Sequence, residues 1–272
     1  MPRPAGTSPL SYYAQAAVSR ATALLPVARL REQVIAMRAP APADPAPGGI
    51  PLPPARLRVL VDGRGNPDGF VRGGAADAEM IRGQVAAAGA ELESLGAILD
   101  FGCGCGRVAR NWAGLAGPEL HGCDYNPRLV DWCSRNLPFL TARTNELEPP
   151  APYPDETFDL VYAISILTHH SEELALRWMS EWRRILKPGG LLLFSTHGDE
   201  YRERLGTSQR ARYDAGEMVI VSSRVEGTNA CSAHHPYAFV TDRFLGGFEL
   251  VRHSPGPDHP GLMQDVYVAR RP

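Results

Sequence analysis

With 272 residues, 44% of them hydrophobic, the chain buries one catalytic-size core with an appendage more readily than two equal domains. A formal net charge of -2 gives no general attraction to a phosphate backbone, and the Arg-rich stretch 201–212 is interrupted by Glu203, so no nucleic-acid partner is expected. No apolar run approaches the ~20 residues that span a bilayer, and an odd count of five cysteines suits reduced thiols in the cytoplasm better than a disulfide framework.

Ser8 and Pro9 make an N-cap and first-turn pair, and Leu10, Tyr13, Ala14, Ala17, Val18, Ala21, Leu24 and Leu25 then recur at helical spacing. This predicts a short amphipathic helix that ends or kinks near Pro26, with another turn or two through Leu30, Val34 and Ile35. Its apolar stripe suits a docking or lid helix, or a contact between copies of the chain. Seven of the sixteen residues in 39–54 are proline, which makes an extended linker. The boundary therefore falls after it, leaving an N-terminal helical extension at 1–54 and a catalytic domain at 55–272.

In that domain, residues 56–61 read as a short strand and 76–88 as a helix. Residues 97–101 are a buried-strand run, and Val108, Trp112 and Leu115 mark one face of a following helix. Strand 119–123 comes next. Asn126-Pro127 caps a helix facing inward through Leu129, Val130, Cys133 and Leu137, and strands follow at 139–144 and 158–166. Leu174, Trp178, Met179, Trp182, Ile185 and Leu186 form a helical stripe, closed by Lys187-Pro188-Gly189-Gly190 before strand 191–196. Alternating βα units imply five parallel strands with helices on both faces. Runs 248–251 and 266–269, separated by a Pro/Gly-rich loop, read as an antiparallel closing hairpin.

The chemistry concentrates at Asp100-Phe101-Gly102-Cys103-Gly104-Cys105-Gly106, where a strand ends, alternate glycines permit a tight turn, and a helix starts at about Arg107. A dinucleotide-binding turn would place its third glycine at position 107; Arg107 stands there, which disfavours an NAD-dependent oxidoreductase. Asp124 ends the next strand 20 residues after Gly104, where a carboxylate can accept both hydroxyls of a ribose.

The Gly-x-Gly-x-Gly turn with its preceding Asp100, the acidic Asp124, Phe158-Asp159-Leu160-Val161 and residues 186–192 together resemble the class I S-adenosylmethionine-dependent methyltransferases over about residues 97–196. The resemblance implies a Rossmann-like sheet and S-adenosylmethionine as cofactor, with S-adenosylhomocysteine as product. It places the cofactor against Asp100, Phe101, Gly102, Cys103, Gly104 and Gly106, against Asp124 and Tyr125, against Asn145, Glu146 and Leu147 around the adenine, and near Ala163. It implies methyl transfer to oxygen or nitrogen of a small metabolite in biosynthesis; a module that binds the cofactor without turnover is the alternative. Metal-dependent relatives carry an Asp at the end of the fourth strand, where this chain has Ala163-Ile164-Ser165, so no metal is expected.

In-line methyl transfer depends mainly on alignment, to which a base adds. His169, beyond the fourth strand, is the first candidate base; capping or packing is the competing explanation. The long segment 197–247 holds His234, His235 and Tyr237, which on the substrate side of the sheet would offer groups able to exchange protons. His235 and Tyr237 join His169 as catalytic candidates, against a loop tied down by their hydrogen bonds.

Overall fold

The computed structural model describes residues 33–34, 37, 49–223, 226–229, 231–259 and 261–272. The expected helix within residues 8–25, and the linker up to residue 48, lie outside the described residues. Among those described, no helix is long and apolar enough to cross a membrane.

A seven-stranded sheet organises the chain. Its strands are β1 (Ala97–Phe101), β2 (Glu119–Asp124), β3 (Leu140–Thr144), β4 (Phe158–Ala163), β5 (Leu186–Thr196), β8 (Glu249–Ser254) and β9 (Asp265–Arg270), in the order β3-β2-β1-β4-β5-β9-β8. Strands β1 to β5 run parallel, while β9 is antiparallel to both β5 and β8. This is the mostly parallel Rossmann-like sheet with an antiparallel closing pair. Chain order reverses between β1 and β4, so the connections leaving their carboxyl ends diverge and open a crevice there. Strands β6 (Val219–Ser223) and β7 (Cys231–His234) form a separate antiparallel pair within the segment joining β5 to β8.

Among the described residues, the helices of eight or more residues are α1 (Ala55–Asp62), α2 (Pro67–Ala87), α3 (Pro127–Asn136), α4 (Glu172–Ile185) and α5 (Thr207–Asp214). Period-2 alternation divides the core. Leu99, Phe101, Val161, Leu192 and Phe194 meet α4, while Ile98, Leu160, Tyr162 and Leu193 belong to the opposite cluster with Ala78, Ile81 and Val85 of α2 and Cys133 of α3. Trp178 and Trp182 of α4 bury almost completely, edge-on to Phe101 at 4.6 and 5.1 Å. Ser171 caps α4 by accepting from the Leu174 amide, with Glu172 and Glu173 in the first turn and Arg183 and Arg184 in the last, which complements the helix dipole.

Three local expectations are corrected. Residues 56–61 are not a strand: they lie in α1, whose Arg58 is buried and donates to the carbonyls of Pro53 and Gly65. The helix expected from residue 76 begins at Pro67, where Asn66 caps the Gly69 amide. After the glycine turn there is only a 3₁₀ segment, Ala109–Trp112. There the Asn111 side chain donates to the Arg107 and Val108 carbonyls, acceptors that a continuing helix would use, and Gly114 leaves the helical region at φ 88°.

Candidate active site

The turn after β1 is fixed by its backbone. Gly102 and Cys103 both donate to the Cys123 carbonyl, at 2.8 and 2.9 Å. Gly102 sits at φ 76° and Gly104 at φ 56°, and a Cβ would come 2.1 Å from Ile166 Cδ1 at the first and 2.7 Å from Val61 Cγ2 at the second. Glycine is required at both by conformation and by space. Gly106 faces away, its would-be Cβ 2.4 Å from Leu137 Cδ1 of α3.

Asp124 latches this turn to β2. Its Oδ2 accepts the Gly104 amide at 3.0 Å and its Oδ1 the Asn126 amide at 2.8 Å. Burial nonetheless raises its pKa to about 6, outweighing the two backbone donors. Asp100 is raised to about 7, again by burial, opposed by a hydrogen bond from Tyr162 and by the charge of Arg107. Arg107 itself pairs with Asp77 at 2.6 Å. Asp100 Oδ2 and Asn145 Oδ1 are buried with no hydrogen-bond partner, which is costly until a donor arrives.

A cavity of about 380 Å³ opens above this turn at the carboxyl ends of β1, β2 and β4, within the range of small-ligand sites. Asp100 to Gly104 line it, as do Asp124, Tyr125, Asn145, Glu146, Leu147 and His169. Four residues singled out from the sequence do not. Besides Gly106, Ala163 is fully buried in the α4-side core, and the next residues of the chain, Ile164 to Ile166, form that wall. His235, whose amide donates to the His197 carbonyl, is turned into the core among Phe239 and Phe244; both its ring nitrogens lack partners, and burial lowers its pKa to about 3. Tyr237 is 45% exposed and packs on His253 and Tyr267. As candidates to meet substrate in this cavity, His235 and Tyr237 are therefore corrected by their positions.

His169 differs. Its Nδ1 lies 2.7 Å from the Cys231 carbonyl, an acceptor only, so the ring proton sits on Nδ1 and Nε2 keeps its lone pair. Burial lowers its pKa, which keeps the ring neutral at pH 7.

Sequence reasoning missed several walls. Leu60 to Asp62 of α1 reach the cavity from the helix misread as a strand, and Gly227 to Asn229 cross it as a strap. The Gly227 amide donates to the His169 carbonyl at 2.8 Å, and Asn229 donates to the Leu60 carbonyl at 3.3 Å. Ser165, at φ 61°, and Gln264, in the β8–β9 connection, complete the acceptor side. No spacing links residues so far apart in the chain.

The residue set fits an adenosyl sulfonium amino acid: Asp124 can accept from ribose hydroxyls, Asn145 Oδ1 from an exocyclic amine, and Asp100 Oδ2 from an ammonium. Such a turn beneath a topological switch point, with an acidic residue ending the second strand, defines the class I S-adenosylmethionine-dependent methyltransferases by fold and site. Residues 99–194 match the family described as "Methyltransferase domain", and the match supports a class I S-adenosylmethionine-dependent methyltransferase. A sterol 24-C-methyltransferase of Gibberella zeae is 28% identical over 179 residues, covering 61% of this chain and 42% of that protein. A tRNA N(3)-cytidine methyltransferase of Gallus gallus is 30% identical over 143 residues, covering 48% and 36%. The chain thus spans less than half the length of these relatives. The crystal structure of Burkholderia thailandensis 1,6-didemethyltoxoflavin-N1-methyltransferase, with bound 1,6-didemethyltoxoflavin and S-adenosylhomocysteine, shares the fold at a TM-score of 0.53 and 14% identity, over 79% of this chain and 84% of that one.

Proposed function

We propose that this chain transfers the methyl group of S-adenosylmethionine to an oxygen or nitrogen of a small-molecule acceptor, with His169 as general base. The observation that carries this reading is the Nδ1 bond from His169 to the Cys231 carbonyl, which leaves Nε2 as an acceptor on a residue of the cavity wall. The bound cofactor supplies an electrophilic methyl. Asp100, Asp124 and Asn145 would hold it, residues 227–229 would limit water, and His169 would accept the proton lost by the acceptor's nucleophile. Alignment supplies most of the rate, on the order of 10⁵ M in effective concentration, and the base roughly a further 10².

A small acceptor is favoured over nucleic acid by the surface. Three of the four arginines in the Arg-rich stretch are ion-paired: Arg202 with Asp214 and Glu203, Arg210 with Glu203, and Arg212 with Glu217. Five free, buried thiols suit a reducing cytoplasm, where a biosynthetic role would place the enzyme.

The test is transfer of labelled methyl from S-adenosylmethionine to a metabolite extract, followed by kinetics on the product-forming acceptor. His169→Asn is expected to lower kcat about 10²-fold while S-adenosylhomocysteine affinity holds. An unchanged kcat would remove His169 from the mechanism, and no labelled product from any extract would favour a module that binds without turnover.

A further inference from the structure

Ser165 is held by a closed ring of hydrogen bonds that neither cofactor binding nor proton abstraction uses. Its backbone amide donates to Ser195 Oγ at 2.8 Å, Ser195 Oγ meets Gln264 Oε1 at 2.7 Å, and Gln264 Nε2 meets Ser165 Oγ at 2.8 Å. Ser195 is fully buried and Gln264 nearly so. The amide orientation of Gln264 follows from satisfaction. Ser195 already accepts the Ser165 amide, so its hydroxyl proton needs a buried acceptor, and the carbonyl end of Gln264 is the group that supplies one. Gln264 must then donate to Ser165, and a hydroxyl that accepts in this way keeps its own proton for another partner. No acceptor for that proton is found among the described residues.

Three further observations give the hydroxyl a purpose. Both Ser165 and Gln264 line the cavity, as does His169 four residues along the chain from Ser165. Ser165 adopts φ 61°, a conformation uncommon for a non-glycine residue that persists only where surroundings enforce it. Finally, the acceptor side carries little positive charge. Among the described residues lining the cavity, the guanidinium of Arg107 is committed to Asp77, and His169 and His170 are held neutral by burial. A carboxylate or phosphate on the substrate would find no cation there and would meet Asp100 and Asp124 as like charges.

We propose that Ser165 is a specificity-determining residue that donates a hydrogen bond to an uncharged carbonyl oxygen of the methyl acceptor, with Gln264 as its positioning residue. Resting on the methyltransferase reading above, this names the substrate class: a neutral molecule carrying a carbonyl oxygen near the O–H or N–H that loses its proton to His169. The donor at Ser165 and the acceptor at His169 Nε2 read the two groups together.

The test uses the full chain saturated with S-adenosylhomocysteine, and in parallel without it, titrated with three fluorinated probes by ¹⁹F NMR: 4-fluoroacetophenone, 1-ethyl-4-fluorobenzene and 4-fluorobenzoate. The wild-type chain is expected to bind the ketone about fivefold more tightly than the ethyl analogue, the scale of one neutral hydrogen bond, and more tightly than the benzoate. Ser165→Ala and Gln264→Leu should bring ketone and ethyl probes within about twofold of each other with S-adenosylhomocysteine affinity unchanged. Ser165→Gly, which accepts the positive φ, removes the same hydroxyl where the alanine variant folds poorly. A ketone preference that survives loss of the hydroxyl, a wild-type chain without that preference, or tighter binding of the benzoate would overturn the proposal. Failure of the wild-type chain to bind S-adenosylhomocysteine would instead strike the methyltransferase reading, which the probe series without it keeps distinguishable.

Discussion

The carboxylate of Asp124 accepts the backbone amide of Gly104 at 3.0 Å, so one side chain at the end of β2 both shapes the glycine turn and lines the cavity. Its second oxygen takes the Asn126 amide at 2.8 Å, fixing the carboxylate plane. Asp124→Ala is expected to weaken S-adenosylhomocysteine binding by roughly 1–3 kcal/mol, the scale of hydrogen bonds to a charged acceptor. Calorimetry showing wild-type affinity would remove Asp124 from the site.

Gly102→Ala tests the space beneath the cofactor. A methyl there would meet Ile166 Cδ1 at 2.1 Å in a backbone conformation that alanine resists. The expected loss is about 1–3 kcal/mol of stability, with binding of S-adenosylhomocysteine abolished or severely weakened. Adding Ile166→Val should recover part of the stability by shortening the opposing side chain; a double variant no better than the single one would place the strain elsewhere.

Cofactor affinity should rise with pH. Asp100 and Asp124 have pKa values raised by burial to about 7 and about 6 from the ordinary 3.8. The empty fold therefore holds protons that the unfolded chain has released, and on account of these two groups it loses stability as pH climbs from about 4 to about 7. The ammonium of S-adenosylhomocysteine favours the ionised carboxylates, so affinity should increase roughly tenfold between about pH 5.5 and pH 8. Asp124→Asn should flatten part of that rise. A pH-independent affinity would mean that neither carboxyl faces the ligand.

The histidines act in the opposite direction. His170, His197 and His235 are lowered to about 3 and His234 to about 4, each by burial, from 6.5. Their neutral forms contribute stability that is present above about pH 6.5 and lost as pH falls toward 4. Four such groups outweigh two raised carboxyls, so Tm should fall steeply below about pH 6. His235→Phe replaces an imidazole with two unpartnered nitrogens beside Phe239 and Phe244. It is expected to match or exceed wild-type stability near pH 7, to shrink the acid loss, and to leave turnover unchanged. Impaired turnover with normal cofactor affinity would restore His235 to the chemistry.

The parallel sheet and its order of elements were legible because the central strands β1, β4 and β5 carry short apolar runs, and helices α3 and α4 carry their own caps and stripes, as Asn126-Pro127 and Trp178-Trp182 show. The turn at 102–106 was legible because positive φ and close packing leave glycine no substitute. Residues 56–61 misled because Leu57 and Val59 alternate with Arg56 and Arg58 and run into Leu60 and Val61, a six-residue window too short to separate strand from helix. Docking of Val61 onto Gly104, which is tertiary, accompanies the helical outcome. The acceptor wall was illegible for the same reason. Ser165, Ser195 and Gln264 belong to three segments up to 99 residues apart, and the inward turn of His235 goes with a hydrogen bond from its backbone amide to the His197 carbonyl just past the end of β5.

Titration calorimetry of the full chain with S-adenosylhomocysteine at about pH 8 tests the central claim most directly. Saturable one-to-one binding, weakened at least about fivefold by Asp124→Ala, is the predicted result. No binding to the wild-type chain, or binding of NAD at the same site in preference, would contradict it.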